Sequence, residues 1–336
     1  MFLFCATWRT PMQLLFVIDP LDSFRIYKDT TYVMMRAAQQ RGHQVAVCTQ
    51  PALYWQKGGR VSAQVEWIAL LDVDPAAYAR GEMAPWWQLL RREERALADF
   101  DAVLMRKDPP FDNEFFYTTH LLGQAEREGA KVFNRAAALR DHPEKLDILE
   151  FAQFIGPTLV TRDPQRIRDF HAEHGDVILK PLDGMGGMGI FRVGPDGLNL
   201  GSIIEMLNDH GRNSVMVQRY IPAIKEGDKR ILLIDGEVVP HALARIPQGN
   251  EIRGNMAVGG KAVAQPLSAR DREIAAHIGP ILAERGLLLV GLDVIGDYVT
   301  EINVTSPTGF QEIANQTGFD VAAMFIDAVQ RRQPHW

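Results

Sequence analysis

The sequence predicts a multidomain α/β protein that begins with a parallel sheet and continues with two smaller α+β modules. Three observations support this prediction. Up to Phe133, apolar strands alternate with helix-like segments, a pattern typical of a parallel sheet covered by helices. The later strands are shorter and are joined by glycine-containing turns, which indicates antiparallel hairpins. The chain has 336 residues, enough for about two or three domains.

Composition and charge exclude several classes of function. The chain is 46% hydrophobic and 23% charged, with a net charge of -6, so nothing global favours binding to nucleic acid or to an anionic membrane. No apolar run approaches the roughly 20 residues that span a bilayer. Its two cysteines, Cys5 and Cys48, have neither metal-ligand spacing nor a disulfide framework. We therefore expect a reducing compartment, the cytoplasm.

The first eleven residues, MFLFCATWRTP, do not have the order of a secretory signal. Their apolar stretch precedes Arg9, whereas a signal peptide begins with a basic region. Met12 opens a strand. We expect residues 1–11 to be a disordered leader or the product of an upstream start codon, with a genuine extra segment as the alternative.

The N-terminal domain is predicted to span residues 12–141. Its expected elements are strands at 14–18, 45–48, 102–105 and 131–133, a helix capped by Thr30 and stopped by Gly42, and a helix at 115–128. In parallel sheets ligands meet the carboxyl ends of the strands. The loop MRKDPPFD, which follows the third strand with Arg106, Lys107 and Asp108, is therefore a candidate binding loop.

A polar connector, LRDHPEK, marks the first domain boundary, and we place a central module at 142–220 and a C-terminal domain at 221–332. The central module is expected to contain helices at 165–174 and 203–210. In the C-terminal domain Asp235-Gly236 is a strong hairpin signal, and a helix is expected at 269–285.

The stretch ILKPLDGMGGMGIFRV, residues 178–193, contains four glycines in six residues. Gly184, Gly186 and Gly189 match the dinucleotide-binding pattern, but the residues that follow are β-prone and open no helix. The phosphate-binding pattern G-x-x-x-x-G-K-[ST] occurs nowhere. Two interpretations remain open: a glycine flap that lays backbone N–H groups over phosphates, with Lys180 at its base, or an ordinary flexible hairpin.

The stretch GLDVIGDYVTEINVTSP indicates a cation site. Glu301 and Asn303 share one face of a strand, and carboxylate and amide oxygens suit a hard cation such as Mg²⁺. Asp293 joins them if a three-residue loop at 296–298, or an equivalent bulge, aligns it with Glu301, and we predict one of these. A two-residue turn alone would put Asp293 on the opposite face. The alternative is a polar rim on an edge strand.

Basic residues cluster in or beside loops of this acidic chain, and they suit triphosphate oxygens and substrate carboxylates. They are Lys145, Lys180, Arg230, Arg245 and Arg253. Gln218 and the main chain through Tyr220 and Ile221 have two interpretations: they form hydrogen bonds to the edge of an adenine base, or they form a plain linker. No nucleophile motif and no zinc spacing occur, which is consistent with phosphoryl transfer and with a ligase.

Several motifs together closely resemble the bacterial glutathione synthetases of the ATP-grasp superfamily, from about Met12 to near the C-terminus. These motifs are LMRKDPPFD, ILKPLDGMGG, YIPAIKEGDKR, ARIPQGNEIRGN and LDVIGDYVTEINVTSP. The glycine flap is a weak signal, and the set of Asp293, Glu301 and Asn303 is typical of ATP-grasp ligases generally. MRKDPPFD and INVTSP point to this family.

The resemblance implies an ATP-grasp fold with an N-terminal substrate domain, a central lid and a C-terminal domain, with ATP between two antiparallel sheets. It implies that γ-glutamylcysteine and glycine are joined to form glutathione, ADP and phosphate, with Mg²⁺, or Mn²⁺ as a substitute. It also implies a homo-oligomer, a tetramer, and loops at 183–189 and 246–260 that close over the substrates.

The resemblance also implies roles for individual residues. ATP would be bound by Lys145, Lys180, Asp183, Gly184, Gly186, Gly187, Gln218, Tyr220, Ile221 and Asp228. The metal would be bound by Asp293, Glu301 and Asn303, the reacting phosphoryl and acyl-phosphate groups by Arg230, Arg245, Arg253 and Asn255, and the substrates by Arg106, Lys107, Asp108 and Ser306.

Three rival interpretations remain. Another ATP-grasp ligase, such as one that joins D-alanines, would share the activation chemistry, although MRKDPPFD disfavours it. A nucleotide sensor without catalysis would have to lack one of Lys180, Glu301, Asn303 or Arg253, and all are present. The strand that follows the glycines argues against a dinucleotide-dependent dehydrogenase.

Overall fold

The computed structural model describes residues 10–82, 84–249, 251, 253–254 and 259–336. Most of the expected leader, as well as Asn255, lies outside these residues. Within the described part of the chain, no helix combines the length and apolar character needed to cross a membrane. The strands form three sheets, each built from one consecutive segment of the chain.

The first sheet is mixed. Its strands are β1 (Gln13–Ile18), β2 (Gln44–Thr49), β3 (Leu53–Tyr54), β4 (Ser62–Leu70), β5 (Trp87–Ala96), β6 (Ala102–Met105) and β7 (Val132–Phe133), in the order β3-β4-β2-β1-β6-β7 with β5 beside β4. The predicted strands β1, β2, β6 and β7 are parallel. The predicted parallel arrangement is therefore confirmed for these strands, and β3, β4 and β5 add an antiparallel edge that was not predicted.

Among the described residues, the α-helices that accompany this sheet are α1 (Thr30–Gln40), α2 (Pro75–Ala79), α3 (Asn113–Arg127) and α4 (Ala136–Asp141). The predicted cap of α1 is wrong. The N-cap is Asp29, whose Oδ1 accepts a hydrogen bond from the Tyr32 N–H at 2.8 Å, and Thr30 is the first helical residue. A carboxylate at this position satisfies an otherwise unpaired N–H group of the first turn.

The parallel register brings the ends of β1 and β6 together. Asp19 follows β1, and its carboxylate accepts the Asp108 N–H at 2.9 Å and contacts the Lys107 ammonium at 2.9 Å. The candidate binding loop therefore lies at the carboxyl edge of the sheet, as the parallel arrangement predicts.

The second sheet is antiparallel and contains the glycine flap. Its strands are β8 (Thr158–Thr161), β9 (Val177–Pro181), β10 (Phe191–Val193) and β11 (Val215–Arg219), in the order β10-β9-β11-β8, with helices α5 (Pro164–His174) and α6 (Leu200–Asn208). Phe191 pairs with Leu179, so the glycines form the tip of a hairpin, as predicted, and the element directly after them is a strand. The chain from Ile167 to Val217 buries its own apolar cluster between this sheet and the two helices.

The third sheet is also antiparallel. Its strands are β12 (Asp228–Ile234), β13 (Glu237–Val238), β14 (His241–Ile246), β15 (Lys261–Pro266), β16 (Leu289–Ile295) and β17 (Tyr298–Asn303), in the order β15-β14-β12-β16-β17 with β13 beside β12. Its helices are α7 (Ala269–Glu284), α8 (Phe310–Thr317) and α9 (Val321–Arg332). Asp235 and Gly236 both have positive φ, which confirms the predicted tight hairpin.

A bulge aligns the predicted cation ligands. A two-residue turn joins β16 to β17, so the longer loop is wrong. However, Val294 pairs with Val299 while Asp293 pairs with Glu301, which leaves Thr300 as an extra residue. The equivalent bulge is therefore confirmed, and it restores the carboxylates of Asp293 and Glu301 to the same side of the hairpin.

The segment between the first and second sheets buries an acid that has few partners. Asp147 has a side chain only 1% exposed, and neither carboxylate oxygen has a hydrogen-bond partner among the described residues. The His142 Nε2 atom lies 4.0 Å from Asp147 Oδ1. Burial raises the pKa of this carboxyl to about 6, although the charge that His142 can carry opposes the shift.

We expect Asp147→Asn to stabilise the protein at neutral pH. The folded-state pKa lies above the unfolded value, so ionisation of Asp147 destabilises the fold fully above about pH 6 and not at all below the unfolded value. The midpoint of thermal unfolding should rise by a few degrees at pH 7.5, and the gain should shrink as the pH falls to 4.5. A gain that is independent of pH would contradict the assignment. Asp209, whose side chain is 46% exposed, is changed to asparagine as the control.

Candidate active site

A cavity of about 550 Å³ lies where the three sheets meet. Its wall includes strands from the second and third sheets, the glycine flap, the loop after β6 and the start of α1. All of the predicted site residues line it except Lys107, Asp183 and Asn255, the last of which lies outside the described residues. Lys107 instead contacts Asp19.

Four charged residues form a buried network on one face of the third sheet. Arg230 donates from Nε and Nη2 to the two oxygens of Asp293, at 2.5 and 3.1 Å. Arg245 Nη2 lies 2.8 Å from Asp293 Oδ2 and also donates to Asp228. Because Asp228 pairs with Arg245 across β12 and β14, and Arg230 with Asp293 across β12 and β16, strand register sets these contacts.

The network keeps Asp293 ionised and makes Asp228 the easier acid to protonate. Burial disfavours ionisation of Asp293, but the charges of Arg230 and then Arg245 outweigh it, so the pKa of its carboxyl lies well below the usual value. Burial raises the pKa of Asp228 to about 6, against the pull of Arg245. Asp228 Oδ1 is buried without a hydrogen-bond partner in the described structure, which leaves an acceptor on the cavity wall.

Two lysines link the flap to the hairpin of β16 and β17. Lys145 Nζ lies 3.0 Å from Glu301 Oε1 and also donates to the carbonyl oxygen of Gly184. Lys180 Nζ donates to the Thr300 carbonyl at 3.1 Å. Burial lowers the pKa of Lys180 to about 8, although the charge of Glu301 opposes the shift. The lysines thus hold positive charge beneath the flap.

Arg253 also contacts the flap. Its Nη1 donates to the Gly187 carbonyl at 3.1 Å, and its Nη2 contacts Glu251 at 2.5 Å. Cations therefore hold two flap carbonyls, those of Gly184 and Gly187. Phosphate oxygens make stronger acceptors for these cations than neutral carbonyls do.

The end of the cavity near β11 suits a flat apolar group. Ile178 on β9 and Ile295 on β16 both line it, one from each antiparallel sheet. The Tyr220 N–H already donates to the Asp176 carbonyl at 2.8 Å, whereas no described contact uses the Ile221 N–H. The segment predicted to contact adenine thus has an available main-chain N–H donor at Ile221.

The predicted cation ligands fit a divalent metal in part. Asn303 Nδ2 donates to the Gly291 carbonyl at 3.2 Å, which leaves its amide oxygen for a cation, and Glu301 Oε2 has no contact among the described residues. Both oxygens of Asp293 accept hydrogen bonds from arginines, but Oδ1 accepts from Arg230 alone, which leaves one of its lone pairs for a cation. The described residues contain no group of three His, Cys, Asp or Glu that could hold a metal.

Glu144, which was not predicted, holds the end of the strand that contains Glu301 and Asn303, two of the predicted metal ligands. Its Oε1 accepts hydrogen bonds from the N–H groups of Val304 and Thr305, at 2.9 and 3.0 Å, and from the Thr305 hydroxyl at 2.8 Å. Its carbonyl accepts the Ile302 N–H at 2.9 Å. Burial raises the pKa of Glu144. The only sequence signal was its position beside Lys145.

Arg106 organises the part of the cavity built by the first sheet. Its Nε donates to Thr31 Oγ1 at 3.2 Å and its Nη2 to the Pro307 carbonyl at 3.1 Å, so it joins α1 to the loop that contains Ser306. Burial lowers the pKa of Arg106 to about 10, still far above neutral pH. The neighbouring cavity residues Arg25, Lys28, Asp29 and Glu312 were not predicted.

Comparison with known proteins places these features in a family context. Residues 12–140 match the family model "Prokaryotic glutathione synthetase, N-terminal domain", and residues 144–318 match "Prokaryotic glutathione synthetase, ATP-grasp domain". A glutathione synthetase from Ralstonia nicotianae is 58% identical over 95% of this chain and 96% of its own length. A glutathione synthetase from Bordetella parapertussis is 56% identical over 95% of this chain and 99% of its own length.

Solved structures show the same fold at low identity. The crystal structure of a D-cycloserine synthetase, DcsG, superposes with a TM-score of 0.63 at 16% identity, covering 95% of this chain and 99% of that chain. At that identity the likeness concerns the fold alone.

We expect Glu144→Ala to weaken binding of a divalent cation beside nucleotide, because Glu301 and Asn303 lose the alignment that Glu144 gives their strand. Mn²⁺ affinity, measured by electron paramagnetic resonance with a non-hydrolysable ATP analogue, should fall about tenfold. Glu144→Gln retains the accepting oxygen, so its Mn²⁺ affinity should fall less. Glu150→Ala, on the same segment, is the control. Wild-type Mn²⁺ affinity in Glu144→Ala would contradict the role.

Proposed function

The chain belongs to the prokaryotic glutathione synthetases and is an ATP-dependent ligase that forms glutathione, and from this premise we propose which residues perform each part of the reaction. The fold is that of the ATP-grasp ligases. The observation that supports the proposal most strongly is the convergence of five cations on one cavity between two antiparallel sheets, each held by an acid or a carbonyl. They are Lys145, Lys180, Arg230, Arg245 and Arg253.

The chemistry explains why so many cations are needed. A carboxylate is a poor electrophile, so an oxygen of the cysteine carboxylate of γ-glutamylcysteine first attacks the γ-phosphorus of ATP, and ADP leaves. The glycine amine then attacks the acyl carbon, phosphate departs with that oxygen, and the amine loses a proton. In the first step two anions must meet, and positive charge placed beforehand lowers the barrier.

We assign ATP to the cleft between the second and third sheets. The adenine lies between Ile178 and Ile295 and accepts a hydrogen bond from the Ile221 N–H, with Gln218, Tyr220 and Asp228 around the nucleoside. Lys145 and Lys180 bind the phosphates. In the structure these lysines contact the Gly184 and Thr300 carbonyls, which are weaker acceptors than phosphate oxygens. Lys145 also contacts the Glu301 carboxylate, which a phosphate oxygen can replace.

Glu301 and Asn303 would hold the metal, with Oδ1 of Asp293 as a third ligand. A divalent cation, Mg²⁺ with Mn²⁺ as a substitute, supplies neutralisation of charge on the phosphate oxygens. Glu144 keeps the strand of these ligands in place, and Arg230 and Arg245 hold Asp293 ionised.

The arginines act on the transferring group. Arg230 and Arg245 lie on the sheet beneath it, and Arg253 contacts it from the loop at 246–260, with Asn255 as a further donor. Arg106 and Ser306 position the substrates at the first sheet, with Asp108 beside them. The flap, with Asp183, Gly184, Gly186 and Gly187, excludes water that would hydrolyse the acyl-phosphate.

We also propose the domain limits 12–141, 142–220 and 221–332, a cytoplasmic location and a homotetramer. Each sheet lies within one of the three segments, which supports the limits. The scarcity of cysteine supports a reducing compartment. The tetramer rests on the resemblance to the family.

The test is ADP release with Mg-ATP and glycine, with γ-glutamylcysteine present or omitted, and with D-alanine alone as the contrast. We expect release only when dipeptide and glycine are both present, with glutathione identified by mass. Release with D-alanine but not with that pair would preserve the activation chemistry and overturn the substrates.

We expect Arg253→Ala to lower turnover by about a hundredfold while the affinity for ATP changes little, because Arg253 acts mainly on the charge that develops in transfer. Steady-state kinetics and nucleotide titration separate the two. Exposed Arg212, changed to alanine, is the matched control. Equal losses of turnover and ATP affinity would contradict this role.

A further inference from the structure

The cavity extends beyond the nucleotide and metal ligands to an end formed by the starts of α1 and α8. Hydrogen bonds join the two helices there: the Gly309 N–H donates to Thr30 Oγ1 at 3.2 Å, and Gln311 Nε2 donates to the Asp29 carbonyl at 2.7 Å. Charged residues of both signs line this end. We call Arg25, Lys28, Asp29 and Glu312 the head-group subsite.

Glu312 carries an acceptor without a partner. Its Oε2 atom is buried on the cavity wall and makes no hydrogen bond within the described structure. Burial raises its pKa, while its own backbone N–H and the charge of Lys28 oppose the shift. Asp29, the acid beside it, already accepts the Tyr32 N–H, and burial raises its pKa to about 6. Two acids in a shared buried site favour a cationic donor.

The two basic residues of the subsite require a negatively charged group on the ligand. Arg25 and Lys28 also line the cavity, in the turn that leads to Asp29, and the charge of Lys28 acts on Glu312. A simple cation would leave the basic side chains unmatched, and a simple anion would leave Glu312 unmatched. A group with an ammonium and a carboxylate on one carbon, the head of a free α-amino acid, matches both.

We propose that Glu312, with Asp29, binds the α-ammonium group of the γ-glutamyl residue, and that Arg25 and Lys28 bind its α-carboxylate. The assignment rests on the proposed function, because it takes γ-glutamylcysteine as the substrate. It implies that this subsite selects the γ-linkage. A glutamyl residue linked through its α-carboxyl group has no free α-carboxylate beside the ammonium, so one side of the subsite would remain unmatched.

Glycine is also a zwitterion, but its amine has a different task. It must lose its proton to attack the acyl carbon, and paired carboxylates favour the protonated form. The subsite therefore suits an amine that takes no part in the reaction. The γ-glutamyl ammonium is such a group.

The test compares γ-glutamylcysteine with glutaryl-cysteine, which lacks only the α-amino group, in wild type and in Glu312→Gln. In wild type we expect glutaryl-cysteine to lose about tenfold to a hundredfold in kcat/KM, as is usual when a charged hydrogen bond is lost. Glu312→Gln should raise the KM for γ-glutamylcysteine by a similar factor. The KM values for glycine and ATP should not change.

The two losses should not add, because they remove the two ends of one contact. The Glu312→Gln variant should therefore have nearly the same kcat/KM for γ-glutamylcysteine and for glutaryl-cysteine. Glu114→Gln is the matched control: Glu114 also stands in the first turn of a helix, but it is exposed and lies outside the cavity. It should leave all KM values unchanged.

Three outcomes would overturn the assignment: equal use of both dipeptides by wild type, additive losses, or a KM change for glycine instead of the dipeptide. The wild-type comparison needs no variant, so it holds even if Glu312→Gln fails to fold. Formation of glutathione without discrimination against glutaryl-cysteine would reject the subsite alone. Absence of glutathione formation would reject the proposed function.

Discussion

The site depends on the pairing of Asp293 with Arg230 and Arg245 at the centre of the third sheet. All three side chains are buried, so neither charge could stay there without the other. Their positions follow from strand register, since Arg230 lies opposite Asp293 and the bulge at Thr300 brings Glu301 to the same side. One sheet face thus presents acids and bases in alternation.

This alternation suits a site that must accept a polyanion. Without ligand, every cation that we assign to phosphate has an acceptor inside the protein, such as the Gly184 carbonyl for Lys145 or the Gly187 carbonyl for Arg253. Phosphate oxygens can replace these acceptors without exposing a charged side chain to solvent. Because Lys145 and Arg253 contact flap carbonyls, the residues that position charge also lie against the flap that excludes water.

Local patterns predicted much of the fold and part of the site. The flap hairpin, the Asp235-Gly236 turn and the bulge follow from glycine positions and strand alternation within short segments. Glu144 and Glu312 could not be found in this way, because their importance comes from burial and from partners far along the chain, such as Thr305 for Glu144. The antiparallel edge of the first sheet was missed because β5 is mostly exposed and carries charges on both faces.

The most direct test of the account follows oxygen atoms through the reaction. γ-Glutamylcysteine labelled with oxygen-18 in its cysteine carboxylate is turned over with ATP and glycine, and the phosphate is analysed by mass spectrometry. Activation of the carboxylate by phosphorylation predicts that each phosphate carries one labelled oxygen and that ADP is the nucleotide product. Unlabelled phosphate, or AMP with pyrophosphate, would contradict the acyl-phosphate route and the roles assigned to the cations around it.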